Sequence, residues 1–155
     1  MNAIETKLAQ LGITLPDAPA PAANYVPFVI SGNTLIISGQ ISKDGDRMLT
    51  GKLGAEVSIE DGQKAARVCA INLIAQAKAA LGGDLTRLKR VVRLGGFVNG
   101  TADFNGHPAV INGASDLMVD VFGDAGKHAR AAVGCSNLPF DVSVEVDGMF
   151  EIDPA

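Results

Sequence analysis

"ARAAVGCSNLPFDVSVEVDGMFEI", residues 129–152, decides how this chain is read. Small apolar residues fill its first part, Leu138-Pro139 interrupt it, and its second part alternates. Along an extended backbone Val142, Val144 and Val146 point one way, while Ser143, Glu145 and Asp147 point the other. The pattern predicts two strands, "ARAAVGCSNL" and "DVSVEVDGMFEI", with the valines turned toward a core of helices. The opposite face, carrying those carboxylates and Arg130 among Ala and Gly, suits a subunit interface with polar pockets better than open surface. One charge stands out. Arg130 lies among Ala129, Ala131, Ala132 and Val133, in a chain with only 13 basic residues. A guanidinium in so apolar a strand calls for an anion.

Outward from this stretch, helices and strands alternate. "HPAVINGASDLMVDVFGDAG" reads as a long helix: Pro108 suits its first turn, and Val110, Ala114, Leu117 and Val121 share one face. Gly113 weakens that helix by about 1 kcal/mol relative to Ala. Before it, "RLKRVVRLGGFVNG" predicts a strand from Leu88 to Val98. "IEDGQKAARVCAINLIAQAKAALGG" is the strongest helical signal. Ser58, three residues before Asp61, resembles a capping box; Ala66, Cys69, Ala70, Leu73, Ala77 and Leu81 form the apolar stripe, and Gly82-Gly83 stop it. "SKDGDRMLTGKLGAE" reads as a polar loop, and "FVISGNTLIISGQI" as a hairpin turning at Ser31-Gly32-Asn33. Ile4, Leu8 and Leu11 place a short helix over residues 2–11, ended by Gly12. Pro16, Pro19, Pro21 and Pro27 make the arm after it extended. The order after the arm is ββαβαββ. It predicts an α+β fold, a mixed sheet with two helices on one face, in one domain over 1–155 with the helix and proline-rich arm in 1–27.

A net charge of −4 argues against a general nucleic-acid partner, which needs a basic face. No stretch approaches the ~18 apolar residues that cross a bilayer, and the start lacks the apolar run of a signal peptide. The expectation is a cytoplasmic protein without a membrane partner. Cys69 and Cys135 lie far apart without metal-type spacing and are expected as buried free thiols. His107 and His128 are the only histidines and have no i,i+4 partner, so no metal is expected. Nucleotide-loop, dinucleotide and serine-elbow motifs are absent. What remains is Arg130 with Glu145: a fork for a planar carboxylate, and a group that takes a proton or orients a water. The same spacing allows a structural Arg–Glu pair between adjacent strands. Tyr25, the single tyrosine, either supplies a phenol or packs on the core.

Four motifs carry a resemblance: "APAANY" before the hairpin, "GNTLIISGQI" on it, "FVNGTADF" followed by "VIN", and "ARAAVGCSNLPFDVSVEVD". Over roughly residues 18 to 152 the chain resembles the RidA/YjgF family of reactive-intermediate deaminases, formerly labelled translation initiation inhibitors or endoribonuclease L-PSP. The resemblance implies a chorismate mutase-like subunit and a homotrimer whose sheets form a barrel with clefts between subunits. It implies hydrolysis of 2-imino or enamino acids to 2-keto acids and ammonia, with no cofactor. Arg130 matches the arginine that binds the substrate carboxylate, and Glu145, fifteen residues on, the glutamate that positions water. Tyr25, eight residues before Asn33, matches a ligand-contacting tyrosine; Asn112 matches an asparagine early in the second long helix. Backbone groups near Gly39 are expected to help hold the water. Ala132 stands where members often have Cys or Ser, the "NGHP" loop is longer, and the N-terminal helix is additional, which marks a divergent, longer branch. A non-catalytic trimer binding small carboxylates is the alternative, and a ribonuclease the third reading.

Overall fold

The computed structural model of the chain describes residues 1–18 and 24–153. Pro19, Pro21 and most of the "APAANY" motif lie outside them. The elements are α1 (Ala3–Gln10), β1 (Phe28–Ser31), β2 (Thr34–Ile41), β3 (Lys43–Asp44), β4 (Arg47–Met48), α2 (Ile59–Ala80), β5 (Leu88–Asn99), α3 (His107–Phe122), β6 (Ala129–Cys135) and β7 (Val144–Ile152). A five-stranded sheet runs β1-β2-β7-β5-β6. Its neighbours are antiparallel except β5 and β6, which run parallel across the α3 crossover. The fold is thus α+β with a mixed sheet and α2 and α3 packed on one face, as the sequence predicts.

Local chemistry sets the boundaries. Ser58 caps α2, its Oγ accepting the Asp61 N–H at 3.1 Å. Gly82 takes φ +65° just past the helix, a conformation cheap only for glycine. The predicted stripe of α2 and the four named apolar residues of α3 are buried with Val144, Val146 and Phe150. Where α2 and α3 cross, Gly113 faces backbone. A methyl added there would stand 2.8 Å from the Gln63 carbonyl carbon and closer still to its oxygen.

Four details depart from the sequence reading. The polar loop after β2 contains the β3–β4 ribbon. The last two strands are shorter than expected, because Pro139–Asp141 form a 3-10 turn with Phe140 at φ 57° and Asp141 at φ 58°. Ser143 precedes β7 and is buried, its Oγ donating to the Gly51 carbonyl at 2.9 Å, so it is not on the carboxylate face. Both cysteines are free, but only Cys69 is buried; Cys135 is half-buried. Among the described residues no helix is long and apolar enough to cross a membrane.

Candidate functional site

β6 is an edge strand, bonded to β5 alone. Its register sets Arg130 beside Leu94, whose side chain is in the core. Arg130 therefore leaves the sheet on the helix side, at the rim where α3 overhangs β6, and not on the carboxylate face where the sequence reading set it, because it shares the parity of the buried Leu94. Its Nη1 donates to Ser115 Oγ at 3.1 Å and its Nη2 to the Pro108 carbonyl at 3.4 Å. Among the described residues, three of the five guanidinium N–H groups have no protein partner, and no carboxylate pairs with this half-buried side chain. Pro108, Asn112 and Ser115 recur at helical spacing, so Asn112 belongs to the same rim of α3. Asn112 is exposed.

Glu145 is elsewhere. It lies between the buried Val144 and Val146, so it points to the face that carries no helix. It pairs in register with Ile41 on one side and Phe97 on the other. The β2–β7 register shifts between Ile37 and Gln40, and Gly39 sits in that irregularity against the Glu145 carboxylate. A methyl on Gly39 would fall 2.9 Å from Glu145 Cδ, so the glutamate occupies the space a side chain would take. Burial pushes the Glu145 carboxyl above the usual range, and the Asp147 carboxylate pushes it further the same way. Tyr25 stands next to Val26, whose carbonyl accepts the Ser38 hydroxyl at 2.8 Å, close in the chain to Gly39. Tyr25 is 63% exposed, so it does not pack on the core.

The five candidate residues thus fall into two separate groups. Arg130 and Asn112 share the α3–β6 rim; Glu145 and Gly39 meet at the β2–β7 side, with Tyr25 near them along the chain. β5 separates β6 from β7, and the two groups lie on opposite faces of one sheet. A structural Arg130–Glu145 pair between adjacent strands is therefore excluded: the strands are not adjacent. Nor does one chain bring the two residues to a common ligand.

Three further side chains belong to the rim: Ser115, which the sequence reading did not name, and His107 and His128, which it set aside as metal ligands. Ser115 and His128 join Arg130 in a hydrogen-bonded chain, Ser115 Oγ lying 2.9 Å from His128 Nε2. His107 opens α3, stacks edge-on against Phe104 with ring centroids 5.3 Å apart, and leans on β6 at Gly134. With Lys52, Thr101 and Cys135 it lines a hollow of about 580 Å³ farther along β6; Arg130 stands outside that hollow. For Ser115 the available signal was its spacing of seven from Pro108, and for His128 its place two residues before Arg130. Among the described residues no group of three or more His, Cys, Asp or Glu side chains is placed to hold a metal.

Comparison with known proteins agrees with this layout. Residues 5–150 match the family described as "YjgF/chorismate mutase-like, putative endoribonuclease". The chain is 50% identical over 152 residues to Protein TCP17 of Trypanosoma cruzi, covering 97% of this chain and 94% of that one. It is 28% identical over 143 residues to a 2-iminobutanoate/2-iminopropanoate deaminase of Dermatophagoides farinae, covering 91% and 95%. A crystal structure of a protein of unknown function from Agrobacterium tumefaciens superposes with a TM-score of 0.91 at 50% identity, covering 97% of this chain and 93% of that one. A family match across nearly the whole length, with its sheet order and helix layer in place, leaves one conclusion: this chain belongs to the YjgF/chorismate mutase-like family.

Proposed function

We propose that the chain is a hydrolytic deaminase of reactive 2-imino and enamino acids. Its site would form where the Arg130 rim of one copy meets the Glu145 face of the next in a homotrimer. The observation that carries this reading is the Arg130 guanidinium: half-buried and, among the described residues, without a carboxylate partner and with three N–H groups unused. A planar carboxylate uses two of them as a parallel pair. The matching deaminase from Dermatophagoides farinae supports the substrate class. The separation of Arg130 and Glu145 on opposite faces supports an assembly, as do the unpaired edge of β6 and the exposed Val29, Ile36 and Val133 on the helix-free face.

In this mechanism Arg130 holds the carboxylate and so fixes the imine carbon in front of a water. Glu145, whose proton affinity burial raises above the usual glutamate range, accepts a proton as the water oxygen bonds to carbon. The proton passes to nitrogen, giving a carbinolamine; the proton of its hydroxyl then follows to nitrogen as the C–N bond breaks, the hydroxyl oxygen becomes the keto oxygen, and ammonia leaves with the 2-keto acid. An imine is already electrophilic, so positioning supplies most of the rate and no cofactor takes part. The test generates 2-iminobutanoate with a partner enzyme and follows its disappearance. Wild type should accelerate the loss and Arg130→Ala should match buffer. If wild type binds 2-oxobutanoate yet leaves imine loss at the buffer rate, the chain is a carboxylate binder and not a deaminase.

A further inference from the structure

The chain of bonds behind Arg130 has only one arrangement of protons that satisfies every member when the imidazole is neutral. His128 Nδ1 lies 2.6 Å from the Gly126 carbonyl oxygen, which can only accept, so Nδ1 carries the proton. Nε2 is then a bare acceptor, 2.9 Å from Ser115 Oγ, and takes the single proton of that hydroxyl. With its proton committed, Ser115 turns its lone pairs toward Arg130 Nη1 at 3.1 Å. The backbone carbonyl sets the ring, the ring sets the hydroxyl, and the hydroxyl sets the guanidinium.

We infer that Ser115 and His128 are positioning residues that hold Arg130 in its carboxylate-binding orientation. The inference rests on the reading of Arg130 as the carboxylate clamp. An arginine stem carries much rotamer freedom. An edge-strand arginine anchored only through the 3.4 Å contact to Pro108 would lose that freedom on binding the ligand rather than on folding. The Ser115 bond fixes Nη1 beforehand and leaves the other donors for the ligand. Serine and histidine in this geometry also resemble an activated nucleophile with its base. Here the serine lone pairs are occupied by a cation instead of facing a hollow, which favours positioning.

The test combines steady-state kinetics with NMR on the whole chain. Ser115→Ala should raise KM for the imino acid about tenfold with kcat within about twofold, the pattern of lost ligand binding. Ser115→Thr should restore KM, and thermal unfolding should show each variant folded. His128→Phe should raise KM as Ser115→Ala does, and the double variant should be no worse than either, because the bonds act in series. A wild-type KM in Ser115→Ala, or effects that multiply in the double variant, would overturn the inference. Labelling of Ser115 by a fluorophosphonate would overturn it too, in favour of a nucleophile. If wild type hydrolyses no imine, the proposed activity fails, and nitrogen-15 spectra of His128 still decide this point. A proton on Nδ1 and a bare Nε2 that shifts in Ser115→Ala uphold the arrangement; a proton on Nε2 refutes it.

Discussion

Gly113→Ala sets two physical effects against each other, and the structure says which wins. By helix propensity alone, alanine in the middle of α3 should stabilise by about 1 kcal/mol. The packing predicts the reverse. The new methyl would stand 2.8 Å from the Gln63 carbonyl carbon and 2.9 Å from its Cα, where ordinary contact starts near 3.4 Å. The obstacle is the backbone of α2, not the end of a side chain that can turn aside. The helices would have to part by at least 0.6 Å at that point, over a seam holding Val110, Ile111 and Ala114. Overpacking of this kind costs roughly 1–3 kcal/mol, and with rigid obstacles the upper end applies, for a net loss of about 2 kcal/mol. At this chain length that lowers Tm by about 4–8 °C, measurable by thermal circular dichroism. Gly62→Ala is the internal control. Its methyl meets Leu53 Cδ1 at 2.8 Å and Val110 methyls, which are side-chain ends, so it should cost less. A Gly113→Ala protein as stable as wild type, or more so, would refute the close-approach argument.

Gly39→Ala should separate activity from stability. Its methyl displaces the Glu145 carboxylate, a flexible group, so stability should change by only about 1 kcal/mol; imine turnover should fall about a hundredfold or more. Wild-type turnover in this variant would remove Glu145 from the mechanism. The raised proton affinity of Glu145 also makes a stability prediction. A carboxyl whose folded pKa exceeds its unfolded value stabilises below the ordinary glutamate range and loses that contribution as pH rises through the folded value. Glu145→Gln should therefore be more stable than wild type near neutral pH, with the gap closing in acid. Urea denaturation at both pH values checks this, and a gap that widens in acid contradicts it.

The helices and the hairpin were legible because their signals are local. Ser58 with Asp61 marks a cap, Gly82 marks an end, and Gly32 with Asn33 marks a tight turn, each read within a few residues. Gly113 was legible only as a weakness. Its reason, the backbone of α2 at Gln63, is contributed by residues fifty positions away and has no local trace. The same limit explains Ser143, assigned by alternation to the open face: the strand begins one residue later, and the Gly51 carbonyl draws the hydroxyl inward. It also explains the shortened last strands, where two residues at positive φ bend a stretch whose composition reads as extended.

The site was harder to read for a topological reason. In sequence Arg130 and Glu145 lie on what look like consecutive strands, and a pair between them is the economical inference. The sheet inserts β5 between those strands, a placement no short-range pattern encodes, because the parallel β5–β6 crossover carries α3 over the sheet first. Strand parity then turns the two side chains to opposite faces. Two polar groups that one fold keeps apart, neither in an ion pair among the described residues, are either unrelated surface features or two parts of one site that a second copy completes. Among the described residues three of the Arg130 donors are left over, enough to take a planar carboxylate from outside the subunit. On the proposed reading a second copy completes the site, so turnover depends on the oligomeric state of the protein in solution. Dilution until the assembly dissociates should abolish turnover while leaving each subunit folded.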